Sequence, residues 1–541
     1  FRTAAGGRGS SPNLGTGGFF DSYIDYTFMN PGTYYLGVAR FFSSIGGAVP
    51  TPIQGTPPTL GTNYILQVSI DQRNTRNANQ GASSGLFAQS TGIGGLAGNI
   101  TVNAPGNGQV TLSNGAQIAA SNVSGATGSD ILFNGVNVLQ ASDSVISAST
   151  IDGVAGSVRV NPNAAPASSL TLTNSRIVVE ATGIGDAGQV DLNTRQLTLQ
   201  QSAISASTRS GTGNGIILSN LDQLSLQSSY ITASTIDGIA GDLLVNDGGT
   251  PASAVTLDNG FLTVQADGTG DAGLVSLNTR QLSLRDSLIL ASTRSGTGQD
   301  VLLSNINQLS LQRSYIVAST VDGSAGDLLI NDNSAPATAI LLSDGSTLES
   351  RATGQGSGFA GNVRLNTRQL TLQDNSVISA ASAGNGLAGF IQVDAAGTPT
   401  DTINLLSGSR LEVEATGTGD AGFVLLSTRQ LSLSQSAIAA STASGIGSGV
   451  FLSNLDTLSL RDSYIAASTV DGDAGDLLVN NGGMPASNIT LNTGFLTVGA
   501  TGRGNGGLIS LNARQVNLRN SLISASTGSG VGIGVDLQGL D

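Results

Sequence analysis

The chain lacks histidine, cysteine and tryptophan, and all 22 of its basic residues are arginine, so lysine is absent as well. These absences remove many of the usual nucleophiles, proton shuttles and transition-metal ligands. Catalysis by paired carboxylic acids is still available. The composition therefore lowers the expectation of an enzyme without excluding one.

Charge is scarce and mostly negative. Charged residues make up 11% of the 541 residues, and the formal net charge is −14. An acidic surface without lysine argues against nucleic-acid binding, because phosphate contacts need clustered cations. It argues equally against docking on anionic membranes, and no apolar run approaches the roughly 18 residues of a transmembrane helix. We therefore expect no nucleic-acid partner and no membrane insertion.

Aromatic residues divide the chain into two parts. Eleven of the 22 Phe and Tyr residues lie at or before Tyr64. Segments 21–42 and 62–71 alternate apolar and polar residues, and NPGT at 30–33 is typical of a turn. We predict a small antiparallel β-sandwich-like domain over residues 1–71. The Gly-, Ser- and Asn-rich stretch 72–98 is interpreted as a linker or a cap.

Residues 99–541 are repetitive. NTRQL or a relative begins at 193, 278, 366, 427 and 512, and AST[IV]DG places its Ile or Val at 151, 236, 321 and 470. Both markers indicate a unit of 85 residues. The first also has one interval of 88 and one of 61, and the second spans these two as a single interval of 149. Segment 274–293 aligns with 301–320 at an offset of 27 residues. Each unit is therefore three coils of about 27, 27 and 31 residues, and the short interval is a unit that lacks one coil.

Each coil contains three short stretches with the alternating pattern of β-strands. In one coil Leu282, Leu284, Ile289 and Ala291 are predicted to point inward and Leu288 outward. No helical period is present, and the 75 glycines would penalise helices. We predict an all-β protein whose main part is a right-handed parallel β-helix of about fifteen coils, a rod on the order of 70 Å long.

The outward position of Leu288 is interpreted as facing solvent, because other coils place unrelated residues there. These are Ala203, Tyr230, Tyr315 and Tyr464.

Identical amides one coil apart are candidates for hydrogen-bonded ladders that satisfy backbone groups at the corners. The alternative is a polar track that binds a ligand. The candidate pairs are Asn193 with Asn220, Asn278 with Asn305, Gln196 with Gln223, and Gln281 with Gln308.

One arginine per unit is a candidate for surface binding of anionic glycans. The alternative is that these side chains pair with nearby carboxylates or cover the surface with their stems. The candidates are Arg195, Arg280, Arg368, Arg429 and Arg514.

Aspartates in Gly-rich corners are candidates for calcium binding between coils, because hard cations favour oxygen ligands. The nonapeptide calcium repeat is absent, however, and Asp-Gly is ordinary turn chemistry. We therefore assign no metal site or other cofactor. The calcium candidates are Asp237, Asp271, Asp322, Asp420 and Asp471.

Glutamate occurs only at 180, 349, 412 and 414. No segment forms an irregular loop that would shape a cleft around a pair of these acids. We assign no catalytic residue and expect no enzyme. The alternative is a β-helix that binds or cleaves polysaccharide.

The stretch GDAGLVSLNTRQLSLRDSLILAST at 270–293 resembles the repeats of filamentous-haemagglutinin-like exoproteins, in particular large surface proteins of cyanobacteria. The resemblance extends over about 98–541. DSYIDYTFMNPGTYYLGVA and YILQVSI resemble part of a pre-peptidase C-terminal-type β-sandwich. The resemblance implies a secreted, non-enzymatic structural or adhesive protein, exported by a two-partner pathway to the cell surface or the extracellular space, with a cell-surface glycan as a candidate partner.

The sequence opens inside a domain and closes in mid-coil at VDLQGLD. Open coil ends expose strand edges that favour pairing. We therefore expect either a longer protein or head-to-tail self-association, which would propagate into a filament.

Overall fold

A computed structural model describes residues 84–90, 97–122 and 128–541, and it contains no helix in these ranges. The antiparallel domain predicted for residues 1–71 lies outside the described residues, as does most of segment 72–98. Within that segment, Gly85–Ser90 pairs in parallel with Gln117–Asn122. This strand therefore belongs to the repetitive part of the fold, which begins before residue 99.

The described chain forms 42 strands. The first fourteen are β1 (Gly85–Ser90), β2 (Ile100–Leu112), β3 (Gln117–Asn122), β4 (Ile131–Ser142), β5 (Val145–Ser147), β6 (Val158–Val160), β7 (Ser169–Thr173), β8 (Arg176–Ala181), β9 (Val190–Asn193), β10 (Gln196–Gln200), β11 (Ala203–Thr208), β12 (Ile216–Ser219), β13 (Gln223–Gln227) and β14 (Tyr230–Thr235).

The next fourteen are β15 (Leu243–Val245), β16 (Ala254–Asp258), β17 (Phe261–Ala266), β18 (Val275–Asn278), β19 (Gln281–Arg285), β20 (Leu288–Thr293), β21 (Val301–Ser304), β22 (Gln308–Gln312), β23 (Tyr315–Thr320), β24 (Leu328–Ile330), β25 (Ala339–Ser343), β26 (Thr347–Ala352), β27 (Val363–Asn366) and β28 (Gln369–Leu372).

The last fourteen are β29 (Val377–Ser382), β30 (Ile391–Asp394), β31 (Thr400–Leu406), β32 (Arg410–Ala415), β33 (Phe423–Ser434), β34 (Ala437–Thr442), β35 (Gly449–Ser453), β36 (Thr457–Thr469), β37 (Asp476–Val479), β38 (Asn488–Ala500), β39 (Leu508–Asn512), β40 (Val516–Arg519), β41 (Leu522–Thr527) and β42 (Gly534–Gln538).

All pairings between these strands are parallel, and from β6 to β29 each strand pairs with the third strand that follows it. This connectivity winds the chain into a parallel β-solenoid of about sixteen turns, which confirms the predicted fold class and gives about one turn more than predicted. The solenoid has three sides. We call them the first side (with β9 and β12), the second side (with β10 and β13) and the third side (with β11 and β14).

The core is a continuous stack of aliphatic side chains inside the turns. The residues predicted to point inward, Leu282, Leu284, Ile289 and Ala291, are each at most 1% exposed. They lie in register with their counterparts; Leu282, for example, pairs with Val255 and Leu309. Each large aliphatic side chain buried in this way contributes roughly 1.5–3 kcal/mol. A single turn would leave these faces open, so stability depends on stacking.

The corner between the second and third sides combines a left-handed residue with a buried serine. Asp286 has φ of 50°. The backbone N–H of Ser287 donates to Ser314 Oγ at 3.1 Å in the next turn. That hydroxyl donates to the Gln312 carbonyl at 2.8 Å. Equivalent bonds form a serine ladder and join 144 to 175, 175 to 202, 202 to 229, 260 to 287, 314 to 346, 436 to 463 and 494 to 521.

The corner between the third and first sides is rich in glycine because the backbones of neighbouring turns approach very closely there. A Cβ on Gly270 would lie 1.6 Å from the carbonyl oxygen of Gly238 in the preceding turn. No side chain fits at such a distance, so this corner requires glycine for contact between turns.

Candidate functional site

The third side carries one outward column of side chains in which a pattern occurs twice. Register pairs place Arg, Ala, Tyr, Phe and Leu on five successive turns. We call Arg176, Ala203, Tyr230, Phe261 and Leu288 the N-terminal column, and Arg410, Ala437, Tyr464, Phe495 and Leu522 the C-terminal column.

The two columns have identical internal spacing. Successive members are 27, 27, 31 and 27 residues apart in both. The columns begin eight turns apart, which is about 38 Å at the usual spacing of parallel strands. The outward surface therefore has its own long repeat. The sequence suggested that this outward position tolerates any residue, but the residues there occur twice in the same order.

Ala203 and Tyr230 differ in a way that the sequence did not indicate. Tyr230 is 44% exposed, whereas Ala203 in the same column is only 3% exposed. The interpretation of Ala203 as facing solvent was wrong. Its methyl group points outward, but the longer side chains of Arg176 and Tyr230 on the adjoining turns exclude solvent from it. Ala437 is 4% exposed between Arg410 and Tyr464 in the same way.

A shallow depression of about 400 Å³ lies beside Arg176, Ala203 and Tyr230 and extends to Asp143 on the preceding turn. Its rim also includes Asn174 and Gln201, and Asn174 Nδ2 donates to Asp143 Oδ1. The guanidinium of Arg176 is exposed and has no hydrogen-bond or ion-pair partner among the described residues, and the ring of Tyr230 contacts no other ring there. A half-exposed tyrosine, an unpaired cation, a carboxylate and amide groups therefore line one small concave surface.

Hydroxyl groups lie beside the N-terminal column on the same side. Thr263 Oγ1 donates to Thr232 Oγ1 at 2.9 Å, and Ser234 Oγ donates to Ser207 Oγ at 3.0 Å. These pairs join neighbouring turns. The third side is thus a flat surface with an aromatic row next to rows of hydroxyls.

A charged patch lies after the N-terminal column and overlaps the start of the C-terminal column at Arg410. Glu349 and Glu412 lie in register with Ser379 between them, two turns or about 10 Å apart. Arg351 Nε lies 3.2 Å from Glu349 Oε1, and Arg410 Nη1 lies 3.9 Å from Glu412 Oε2. Burial raises the pKa of both carboxyls, and the charge of Glu414 raises the pKa of Glu412 further. The arginines oppose both shifts.

The predicted asparagine pairs meet in the structure. Asn220 Nδ2 donates to Asn193 Oδ1 at 2.9 Å, and Asn305 Nδ2 donates to Asn278 Oδ1 at 2.8 Å. Each ladder stops after one step, because the amide of Asn193 or Asn278 donates to backbone carbonyls of the preceding turn.

The predicted glutamine pairs are in register but are not joined. Gln196 lies beside Gln223 and Gln281 beside Gln308, all with exposed side chains. No hydrogen bond links the two amides of either pair. Their position at the outer start of the second side leaves water to satisfy them.

A set of buried asparagines that were not predicted from the sequence holds the preceding turn. They are Asn161, Asn246, Asn331 and Asn480, each at most 4% exposed with positive φ. Their spacings of 85, 85 and 149 residues equal those of the AST[IV]DG marker. The regular spacing of these asparagines was therefore visible in the sequence. The serines of the serine ladder also recur at regular spacing.

All five arginines of the NTRQL column are exposed at the corner between the first and second sides. Arg195 Nη1 lies 3.4 Å from Asp222 Oδ2, and Arg514 Nη1 lies 3.7 Å from Asp541 Oδ2. Arg280, Arg368 and Arg429 form no ion pair within the described ranges. In the turn after Arg280, Asn307 occupies the position that Asp222 occupies in the turn after Arg195. Arg280 therefore has no carboxylate at this position.

The calcium candidates brace neighbouring turns. In four of these aspartates, Oδ1 accepts a hydrogen bond from a backbone N–H of the following turn. The donor and acceptor pairs are Thr269 and Asp237, Thr297 and Asp271, Ile446 and Asp420, and Arg503 and Asp471. The carboxylate of Asp322 lies against Gly354 in the following turn. In the part of the chain that the structure describes, no group of three or more acidic residues is placed to hold a metal ion.

Comparison with known proteins finds no match to a family model, to a curated protein or to a solved structure. No helix in the described ranges is able to span a membrane. The solenoid and its surface are therefore the basis on which a function can be proposed.

Proposed function

We propose that the protein is a non-enzymatic, extended β-solenoid of the cell surface or extracellular space with a structural or adhesive role. The observation that carries this proposal is the unbroken core of about sixteen stacked turns. In the described part of the chain, the depression beside Arg176 and Tyr230 is shallow and open to solvent. The resemblance of 270–293 to filamentous-haemagglutinin-like repeats supports the same role.

A rod of this type suits adhesion because it holds surface groups at fixed intervals. Each turn advances about 4.8 Å, so sixteen turns span on the order of 75 Å. Repetition of this kind makes stability approximately a sum over turns and their interfaces. The proposal includes head-to-tail association of rods, a contact that would propagate into a filament.

Electron microscopy of the purified chain and of native material tests the proposal. We expect thin rods, or filaments with an axial repeat, and gold-labelled antibody on the outside of intact cells. Compact particles would contradict the extended form. Labelling only after cells are opened would contradict the location.

Polysaccharide cleavage is a second candidate, favoured by Glu349 and Glu412. The strands that carry them are two turns or about 10 Å apart, near the separation of about 6.5–9.5 Å between the two carboxyl groups of inverting glycosidases. The raised pKa values of Glu349 and Glu412 are also suited to a general acid. Against this, each carboxylate has an arginine neighbour and no cleft surrounds them.

Release of reducing ends from acidic and neutral polysaccharides decides between the two candidates. The structural and adhesive proposal predicts no release above buffer. Release that disappears in the Glu349→Gln/Glu412→Gln double variant, while the rod persists in micrographs, would establish cleavage instead.

A further inference from the structure

We propose that a second copy of the chain packs on the third side, antiparallel to the first, about a twofold axis through β29. In this arrangement the apolar part of the N-terminal column of one copy faces the apolar part of the C-terminal column of the other. The inference goes beyond the proposed function, because lateral pairing of rods is separate from their head-to-tail association.

Exposed apolar groups on the third side lie at equal distances before and after β29. Phe261 is four turns before Val377 of β29, and Phe495 is four turns after it. Both phenylalanines are exposed. Soluble monomers rarely expose large contiguous apolar patches, and such patches mark interaction sites. A reversed copy brings apolar groups against apolar groups and the charged patch against itself.

The twofold axis fixes which residues face each other. It lies in the plane of the third side and across the rod, so it keeps the position along a strand and reverses the order of turns. Each outward residue then faces the same column of the second copy, at an equal number of turns from β29. Phe261 faces Phe495 of the second copy, and Leu288 faces Tyr464 of the second copy. Every contact of this type occurs twice.

Side-chain sizes are complementary across this contact. Tyr315, which is exposed, faces Ala437, which is buried between longer neighbours. In the next outward column Leu290 faces Ala466. A long side chain of one copy therefore meets a short one of the other. Further pairs of this kind are Val317 with Ala439 and Gln265 with Gly499.

The charges of the third side permit close approach of two copies. Its outward positions from β14 to β41 carry three glutamates and two arginines, a net charge of −1 against −14 for the whole chain. Arg351 faces Glu414 of the second copy, a contact between opposite charges. Glu349 faces Glu412, which is a like-charge contact. However, Glu349 has Arg351 Nε at 3.2 Å from its Oε1, and Glu412 has Arg410 Nη1 at 3.9 Å from its Oε2.

The third side is large enough for a stable dimer. Its strands of six residues are about 20 Å wide, and the eleven turns from β14 to β41 extend about 50 Å. Each copy would therefore bury roughly 1,000 Å², against about 800 Å² per partner in a standard interface.

Cross-linking of single cysteine variants of the full chain tests the inference, because the chain has no cysteine of its own. Facing sheets pack about 10 Å apart, which is too far for a disulfide, so a short bismaleimide is the reagent. Ala381 of β29 faces its own copy, and Ala381→Cys should give cross-linked dimers. Ser283→Cys is the control, since Ser283 is exposed on the second side and should not link.

A second pair of variants tests the direction of the rods. In the antiparallel arrangement the two copies of Ala466 are six turns or about 29 Å apart, so Ala466→Cys alone should link about tenfold less than Ala381→Cys. It should link when mixed with Leu290→Cys, because these residues face each other. Parallel rods would place Ala466 opposite itself, so efficient linking of Ala466→Cys alone would overturn the inference.

Charge variants at Phe261 and Phe495 test the apolar contact in the Ala381→Cys background. Phe261→Glu/Phe495→Glu places like charges opposite each other and should lower the cross-linked fraction about tenfold. Phe261→Glu/Phe495→Arg places opposite charges there and should restore part of it. Equal cross-linking of the two variants would overturn the inference.

Two other outcomes would also overturn the inference. One is cross-linking of Ala381→Cys no more frequent than that of Ser283→Cys. The other is a chain that stays monomeric but is retained on insoluble cellulose through Phe261 and Phe495, which would assign the third side to a polysaccharide. Head-to-tail filaments without lateral cross-links would overturn this inference alone and leave the proposed function standing.

Discussion

Asn246 holds Leu221 of the preceding turn through both of its backbone groups. Asn246 Oδ1 accepts the N–H of Leu221 at 2.8 Å, and Asn246 Nδ2 donates to the Leu221 carbonyl at 2.7 Å. The same amide also donates to the carbonyl of Thr250 at 3.0 Å. Asn161, Asn331 and Asn480 hold Val136, Ile306 and Leu455 in the same way.

Substitution Asn246→Ala should strongly destabilise the turn that contains Leu221. The buried N–H and C=O of Leu221 would lose their partners, at a cost of about 1–3 kcal/mol each. Asn259→Ala is the control, because Asn259 has φ of 52° against 51° for Asn246 but is exposed. Hydrogen exchange at Leu221 measures the local free energy of opening. Equal effects of the two substitutions would show that the clamp contributes nothing beyond backbone conformation.

Gly270→Ala should disrupt the corner between the third and first sides. Its Cβ would meet the Gly238 carbonyl, so two turns must separate, at about 1–3 kcal/mol or more. Gly249→Ala is the comparison, since its Cβ would find the nearest atom at 3.5 Å. Chemical denaturation should show a large loss for Gly270→Ala and little change for Gly249→Ala. A similar loss of stability in both variants would mean that the close approach of neighbouring backbones does not explain why this corner contains glycine.

The sequence predicted the parallel solenoid because two regularities coincide. Alternation placed Leu282 and Ile289 inside, and the 27-residue offset placed Leu309 beside Leu282. Both regularities depend on local periodicity and on the stacking of similar residues in successive turns. They do not depend on which residues face solvent, so the core followed from the pattern alone.

The surface site was harder to predict, since it depends on differences in side-chain length between neighbouring turns. Ala203 matters because Arg176 and Tyr230 flank it, and only register shows that relation. The contact that Asp271 makes was hard to predict for a related reason. Its position in the sequence indicated a corner, but the hydrogen bond from the Thr297 N–H to its Oδ1 follows from the stacking of turns.

Leu284→Ala should cost about 2–5 kcal/mol, as expected for deletion of a fully buried leucine. Leu288→Ala, four residues later on the outward face, should cost less than about 1 kcal/mol. Unfolding of a solenoid need not be two-state. Local hydrogen exchange in β19 and β20 is therefore the appropriate measurement. Comparable losses would contradict the assignment of inner and outer positions.

Glu412 should make the stability of the fold depend on pH. The burial and the neighbouring charges of its carboxyl determine the direction of this dependence. Burial, and then the charge of Glu414, raise its pKa above the ordinary value of 4.5. The folded chain thus binds this proton more tightly than the unfolded chain does. The resulting stabilisation is fully present below about pH 4.5 and is lost as pH rises through the folded pKa.

Glu412→Gln removes this dependence and should therefore stabilise the turn of β32 at pH 7 relative to the wild type, with the difference shrinking towards pH 4. Glu414→Gln removes the neighbouring charge, so it should lower the pKa of Glu412 and weaken the effect without abolishing it. Thermal unfolding of the three proteins between pH 4 and pH 7 measures these differences. A Glu412→Gln variant less stable than the wild type at pH 7 would show that the contact with Arg410 outweighs the cost of burying the charge.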